Sequence, residues 1–307
     1  TIVKAYWNWY FSYKQFELME QSMGIAEEIF RRVKLDFEYG EAAVVDTVQA
    51  KITYQNRQAD YINARVDLNN ARLLMSIHLW SDNNIPLELP EDAIPLATSS
   101  NWIVPVDSTM NKIISWANTN HPEIQKVKGK QGQYEVEQQW YRESLKPQLD
   151  LNYNFIDAPF SINGSEPIDI GENYKLGVDF SFPILLRKER GKLQKSKLQI
   201  ESLGYDLLQT QQQVAAQIRS TFMELTANRQ LTEQYLQLAN NYQRLLDAEI
   251  FNIENGESDL FKLNIQQDKY IESQIKYLKV LTTFEKLKAE LPYVSGLPNL
   301  SYLKMYE

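Results

Sequence analysis

The chain has 307 residues with 32 Lys or Arg against 40 Asp or Glu, and its formal net charge of −8 argues against a general nucleic-acid binder, which needs a basic face. It contains no cysteine, which excludes disulfides, thiolate metal ligands and cysteine nucleophiles. No apolar run approaches the roughly 20 residues that a membrane-spanning helix requires, whereas only 11 Gly and 11 Pro leave room for long helices.

The chain opens with an aromatic-rich segment that predicts a helix over residues 2–38. Packing against other helices is the favoured role of its aromatic side chains, and anchoring at a membrane interface is the alternative. A turn at Gly40 should then reverse the chain, because glycine adopts the positive φ that a tight reversal commonly requires. The aromatic residues are Tyr6, Trp7, Trp9, Tyr10, Phe11, Tyr13 and Phe16.

A second helix is predicted over residues 44–80. Its apolar residues follow mostly three- and four-residue steps, so one stripe of the helix should face a partner helix. Prolines in residues 82–107 then break the pattern, and the apolar residues between them predict an irregular connecting layer rather than a flexible linker. The stripe comprises Val45, Val48, Ile52, Ala59, Ile62 and Val66.

A third helical segment is predicted over residues 108–145, with an interruption where Pro122 suits the first turn of a new helix. His121 precedes this proline, so capping or packing at the helix start is its expected role.

Residues 149–155 and 174–182 instead alternate between apolar and polar side chains, which predicts two strands with one apolar face each. With the turn-rich residues between them, these strands form a predicted hairpin over 147–184.

The longest predicted helix covers residues 186–254, contains no proline and would span on the order of 100 Å. A second glycine turn at 254–259 separates it from a last helix over 260–291, which Pro292, Gly296 and Pro298 should end. Residues 299–307 form a C-terminal tail. Gln and Asn fill much of one side of the long helices, and that side could line water or be an ordinary solvated coiled-coil face.

The sequence repeats itself across a shift of 216 residues, centred on the two glycine turns. Residues 38–41 fall on 254–257, so that Gly40 matches Gly256, and further along Tyr61 falls on Tyr277. A long-period repeat decides the architecture of a chain. Here it describes a long helical hairpin that is used twice.

The predicted strand pair lacks cover within the chain, because the flanking helices are far too long to pack on it. A solitary pair of strands is marginal in water. Closing such strands into a barrel with hairpins from other chains removes their edges, and one apolar face over about ten residues is what a transmembrane barrel strand requires. A small antiparallel sheet packed on helices is the alternative.

Several short segments follow one another in a characteristic order: residues 37–41 with Asp46 beyond them, 121–124, 145–149, 182–184 leading into Arg187, and 255–260. In this order and spacing, over nearly the whole chain, they resemble the TolC-like outer-membrane efflux proteins. The resemblance implies a mainly α fold with one β-hairpin. Long antiparallel helical hairpins would build a coiled-coil tunnel, and the strands would contribute to a trimeric transmembrane β-barrel.

By this resemblance, residues 1–81 are a partial first repeat, 82–107 an equatorial connection and 108–298 a complete second repeat. The 216-residue shift then predicts that a counterpart of residues 108–216 precedes the first residue in a longer protein. The resemblance further implies a bacterial outer-membrane channel subunit with its helical part in the periplasm. It would be a homotrimer, a passive conduit for exported small molecules or proteins, working with a periplasmic adaptor protein and an inner-membrane pump.

The resemblance also assigns roles to individual residues. The two turns would form the periplasmic tip where the adaptor docks, and the apolar strand face would contact the lipid bilayer. Acidic residues beyond the tip would gate a narrow pore, where a ring of carboxylates favours cations; an exposed charge at a helix end is the alternative. The docking residues are Tyr39, Gly40, Glu41, Asn255, Gly256, Glu257 and Ser258. The acidic gate candidates are Asp46, Glu254 and Asp259, and Lys262 is included because it occupies the second-repeat position that matches Asp46. The lipid-facing residues are Leu149, Leu151, Tyr153, Phe155, Leu176, Val178 and Phe180.

The sequence gives no enzymatic signal. His78 and His121 are its two histidines, and no helix pairs them at metal-ligand spacing. We therefore expect no catalytic site, metal or cofactor, and no nucleic-acid partner. The alternative function is a non-channel periplasmic helical scaffold or adaptor, whose hairpin would join a soluble sheet rather than face lipid.

Overall fold

The computed structural model describes residues 1–96, 107–155, 174–181 and 186–298. The chain divides into two compact units, one formed by Thr1–Ser115 with Ala216–Glu307 and the other by Trp116–Ala215. Its helices are α1 (Ile2–Glu38), α2 (Val44–Ser76), α3 (Asp107–Asn120), α4 (Pro122–Glu143), α5 (Arg187–Glu254) and α6 (Leu260–Ser295), and its strands are β1 (Gln148–Phe155) and β2 (Tyr174–Ser181).

The described part of the chain is mainly helical, with β1 and β2 as its two-stranded antiparallel sheet. This confirms the prediction of a mainly α fold with one β-hairpin. No helix among the described residues combines the length and apolar character needed to cross a membrane. The predicted hairpin loop at 156–173, the strand end at 182–184, part of the connection at 97–106 and the tail at 299–307 lie outside the described residues.

Helix α2 ends at Ser76, although the sequence predicted a helix as far as residue 80. The backbone beyond it is engaged elsewhere, because Trp80 pairs with Pro86 in a small antiparallel bridge. The Leu87 N–H also donates to the Leu79 carbonyl at 3.0 Å. The prediction was wrong for this last turn because its apolar residues pair with the following connection instead of extending the helix.

Helix α6 continues through Pro292 to Ser295, beyond the predicted end at residue 291. Gly296 ends the helix instead, with φ of 68° in the left-handed region. The Leu297 N–H then donates to the Pro292 carbonyl at 2.8 Å, which satisfies one of the last carbonyls of the helix. The proline is tolerated because its missing N–H removes a single bond from the final turns.

Helix α1 packs against both α2 and α6. The aromatic residues at its start serve this packing, since Trp7, Trp9 and Tyr10 are only 5–6% exposed and the Trp7 and Tyr10 rings meet edge to face at 5.2 Å. Polar contacts add to it, because Lys286 Nζ of α6 donates to Asn8 Oδ1 at 2.6 Å. Two buried clusters join the helices: Leu18, Met19, Ala64 and Ile271, and Trp7, Tyr10 and Leu278.

The apolar stripe predicted for α2 is exposed and is not packed against a helix among the described residues. Its members Val45, Val48, Ile52, Ile62 and Val66 are 46–71% exposed, and Ala59 is exposed as well. The face of α2 that packs inward is made of small residues and one methionine instead. This inward face of α2 is buried because its small side chains let the helices approach each other closely. The buried residues are Ala50, Ala64, Ala71 and Met75.

Candidate functional site

The two glycine turns have the same backbone structure. Gly40 has φ of 79° and Gly256 has φ of 72°, the left-handed region that favours glycine. The Gly40 N–H donates to the Phe37 carbonyl at 3.0 Å, and the Gly256 N–H donates to the Ile253 carbonyl at 3.0 Å. The donors and acceptors are separated by the same shift of 216 residues, so the sequence repeat is also a repeat of hydrogen bonds.

Both turns present their residues to solvent. Gly40, Glu41, Asn255, Gly256 and Glu257 are exposed, and Tyr39 is 80% exposed. Ser258 is half-buried, and its hydroxyl donates to the Glu249 carboxylate across the turn. Large apolar side chains around the turns are exposed as well: Phe37, Val44, Val45, Phe251 and Phe261.

The helices that follow the turns are capped by carboxylates in two different ways. In the first hairpin the Asp46 carboxylate accepts from the Ala43 N–H at 3.2 Å. In the second, the Asp259 carboxylate accepts from the Lys262 N–H at 2.9 Å. The two bonds are the two halves of a capping box, because Ala43 and Asp259 occupy the same repeat position, as do Asp46 and Lys262.

Three of the four gate candidates, Asp46, Asp259 and Lys262, thus lie at helix starts. Asp46 and Asp259 each stabilise a first turn, and Lys262 Nζ lies 3.9 Å from the Asp259 carboxylate. Glu254 is the last residue of α5, and its side chain is outside the described residues. The local hydrogen bonds explain the two aspartates as caps, and their assignment to a pore gate stays a prediction.

A groove of about 880 Å³ lies beside the turns, between α1 and the adjoining ends of α5 and α6. Its α1 wall contains Ile25, Ile29 and Val33 at four-residue spacing, and the other helices contribute residues such as Ile253 and Leu263. Sequence reasoning missed this groove. The regular spacing of the apolar residues on α1 was the available signal.

Charged residues line one part of the groove. Glu28 accepts hydrogen bonds from Arg31 and Arg32, which hold the pKa of its carboxyl at about 2. Asp36 and Arg32 also line the groove. The groove therefore combines an apolar floor with ionised groups, the composition of a surface that orients a partner as well as burying it.

Two polar contacts connect α6 to the first hairpin, of which only the second is buried. The Arg57 side chain of α2 is 11% exposed and pairs with the Asp268 carboxylate of α6. Gln267 is 1% exposed, and its amide donates to the Ser22 carbonyl of α1 at 3.5 Å. The repeat could not predict the ion pair, because Ser273 and Ile52 stand at the matching positions.

The strand pair has a register that places its apolar residues opposite one another. Leu149 pairs with Phe180, Leu151 with Val178, and Tyr153 with Leu176. All six are 56–69% exposed, so this side of the sheet is an uncovered apolar face. Phe155 pairs with Tyr174 at the end of the ladder, and its side chain is outside the described residues.

The opposite side of the sheet is polar. Asp150 pairs directly with Asp179, an arrangement in which two like charges repel. The Asn152 amide donates to the Asp179 carboxylate at 2.8 Å and partly offsets this repulsion. Such a face needs water or counter-charges beside it.

The described residues contain no group of three or more His, Asp or Glu side chains that could hold a metal ion. His121 caps α4, because its Nδ1 accepts from the Glu123 N–H at 3.3 Å. The capping role predicted for this histidine is therefore confirmed.

Solved structures with a similar fold are membrane proteins, and they include an outer membrane channel. A membrane protein from Pseudomonas aeruginosa matches with a TM-score of 0.77 at 16% identity, over 96% of this chain and 67% of that one. The CmeC outer membrane channel of Campylobacter jejuni matches with 0.76 at 15% identity, over 99% of this chain and 64% of CmeC. The outer membrane protein VceC of Vibrio cholerae matches with 0.76 at 12% identity, over 96% of this chain and 68% of VceC.

The chain thus spans about two thirds of the length of these proteins. No protein-family model matches it, and no curated protein sequence is significantly similar to it. At this low identity the likeness establishes the fold, and it confirms the TolC-like fold that the resemblance implied.

Proposed function

We propose that the protein is a subunit of an outer-membrane channel in a tripartite export system. Its strands form part of a transmembrane barrel, and its helical hairpins wall a periplasmic tunnel. The channel is a passive conduit for small molecules or proteins, and an inner-membrane pump supplies the energy. The fold shared with CmeC and VceC supports this proposal.

The observation that carries the proposal is the uncovered apolar face of the strand pair. Leu151 is 69% exposed and Val178, directly opposite, is 58% exposed. A contiguous exposed apolar patch marks a membrane or protein contact. Because the other face bears Asp150 and Asp179, the sheet has one apolar and one polar face, which is what a transmembrane barrel strand pair requires.

The exposed stripe of α2 supports a homotrimer. Val45, Val48 and Ile52 follow the three- and four-residue steps of a coiled-coil seam, and Ile62 and Val66 continue it. Because the described part of the chain leaves this seam exposed, a helix of another copy is the partner that its spacing fits. The alternative, a soluble helical scaffold, would need separate cover for both the seam and the strand face.

The surface around the two turns supports adaptor docking. It combines exposed apolar residues, such as Tyr39 and Phe261, with the adjoining groove of about 880 Å³. Glu41 and Glu257 stand at matching positions of the two hairpins and are both exposed. A partner with a helical tip and basic residues would complement this surface in shape and charge.

The channel proposal predicts alternating environments along β1. Single cysteines at Leu151 and Asn152 can be labelled without interference, because the chain has no cysteine of its own. In protein reconstituted into bilayers, a fluorophore at Leu151 should be quenched by brominated lipid. The same fluorophore at Asn152 should be quenched by aqueous iodide, since neighbouring strand residues face opposite sides.

Asn152 is the control, because it is the next residue of the same strand and lies on the opposite face. A soluble-sheet scaffold would leave both probes unaffected by brominated lipid, and that result would refute the channel proposal. Conductance of the reconstituted protein in planar bilayers provides an independent readout.

The docking proposal predicts a loss of adaptor binding on charge reversal. The double variant Glu41→Lys and Glu257→Lys should weaken cross-linking to the adaptor by on the order of tenfold, because like charges then oppose each other at the contact. Cross-linking yield and export by intact cells measure the effect.

Asp67→Lys is a suitable control, since Asp67 is an exposed carboxylate of α2 far along the helix from the turn. It should leave cross-linking unchanged. If the double variant cross-links and exports like the wild type, the docking surface lies elsewhere.

A further inference from the structure

The first turns of α5 carry an unusual concentration of positive charge. Residues 187–197 contain six cations and one carboxylate, whereas the whole chain has a net charge of −8. This basic segment begins shortly after β2, so it lies at the base of the strand pair. The cations are Arg187, Lys188, Arg190, Lys192, Lys195 and Lys197.

All six cations of the basic segment are exposed. Helix α5 packs instead through Ser196, which is fully buried and whose hydroxyl donates to the Tyr134 carbonyl of α4 at 3.4 Å. This contact fixes which side of α5 faces its neighbour. The six positive charges are therefore exposed to solvent, and Lys192 also contacts the Tyr141 ring of α4.

An aromatic cavity of about 430 Å³ adjoins the basic segment. Trp140 is 61% exposed, and its ring meets that of Tyr141 edge to face at 5.3 Å. Lys192 Nζ lies 5.5 Å from the centre of the Tyr141 ring. Lys146 is a second cation in the lining of the cavity. Its Nζ lies 2.5 Å from the Glu143 carboxylate. The other lining residues are Ser144, Gln148, Ser181 and Glu189.

The kind of ligand that this site would bind follows from its position relative to the apolar strand face. Gln148 and Ser181 form the last pair at the base of the ladder. The next pair, Leu149 and Phe180, is the first of the exposed apolar face. If that face contacts acyl chains, then the cavity lies where headgroups are. Exposed Trp and Tyr are enriched at this level of a membrane protein, and Lys and Arg there attract anionic lipids.

We propose that the basic segment and the adjoining cavity bind anionic phospholipid headgroups. The phosphate contacts Lys192 and its neighbours, and Trp140 and Tyr141 pack against the glycerol region. Glu189 in the lining selects against a second phosphate close by, which favours a headgroup with one phosphate. This inference rests on the proposed function, since it requires the strand face to meet lipid.

The test compares lipids that differ only in headgroup. Native mass spectrometry of the full chain in a zwitterionic detergent would count bound dioleoyl phosphatidylglycerol, dioleoyl phosphatidylcholine and soluble glycerol phosphate. We expect phosphatidylglycerol to bind most tightly. The triple variant Lys188→Gln, Lys192→Gln and Lys195→Gln should weaken it on the order of 100-fold, because each surface cation contributes about fivefold.

The control variant is Lys126→Gln, Lys128→Gln and Lys130→Gln, which removes the same charge from the far end of α4. These lysines are exposed and lie about 20 Å along the helix from its strand-proximal end. The control should keep the preference for phosphatidylglycerol. Equal loss in both variants, or no loss in the first, would overturn the proposal. Glycerol phosphate binding as tightly as the lipid would also overturn it, by revealing a soluble-anion site.

The Leu151 fluorophore separates this inference from the proposed function. Suppose that the wild type shows no preference for phosphatidylglycerol, while brominated lipid quenches the Leu151 probe in the first triple variant. In that case only the headgroup site fails. If the probe never meets lipid, the channel proposal itself fails.

Discussion

Replacing Lys288 by methionine should destabilise the folded protein by about 3–5 kcal/mol, because it leaves a buried carboxylate without its counter-charge. Lys288 Nζ lies 2.7 Å from the Glu285 carboxylate, and the two side chains are only 7% and 10% exposed. Lys288 also lies 5.5 Å from the centre of the Phe284 ring. The midpoint of urea unfolding, followed by circular dichroism, measures the loss.

The double variant Lys288→Met and Glu285→Leu is the control for this prediction. It removes both charges, so the desolvation cost disappears together with the attraction, and stability should return close to that of the wild type. If the single variant were as stable as the double variant, the pair would be solvated in the native protein and the burial argument would be wrong.

Replacing Val178 by arginine should prevent stable insertion into a bilayer. A cation on the lipid face of a barrel costs about 2–4 kcal/mol at the midplane, which corresponds to roughly 30- to 1,000-fold fewer inserted molecules. Val178 stands in the middle of β2, opposite Leu151, where this cost should be near its greatest. The frequency of insertion events in planar bilayers measures the effect.

Asn152→Arg is the matched control, since it adds the same charge to the opposite face of the same sheet. Asp150 and Asp179 repel each other there, so a neighbouring cation should be neutral or stabilising. If both arginines reduced insertion equally, the two faces would not differ in environment. If neither did, the strands would not enter the bilayer.

The sequence predicted those features that local chemistry decides. The positive φ at Gly40 and Gly256 follows from the demands of a tight turn, and the alternation along β1 and β2 follows from the pleat. The His121 cap was recognisable from the proline that follows it. In each case, the signal and the structure involve the same few residues.

The sequence did not predict those features that depend on packing between residues far apart in the chain. The stripe from Val45 to Val66 has the spacing of a packed helix face, but periodicity identifies an apolar face without saying which partner covers it. Within this chain, α1 packs instead against the small-residue face of α2, which contains Ala64. The contact of Arg57 with Asp268 joins residues 211 positions apart and has no counterpart in the repeat.

The uncovered face of the strand pair and the uncovered seam of α2 together have a consequence for how the protein matures. A single copy leaves both surfaces in contact with water, so the proposed assembly with other copies and a bilayer would be needed to cover them. The free energy of the folded state should therefore depend on protein concentration, as for an obligate oligomer.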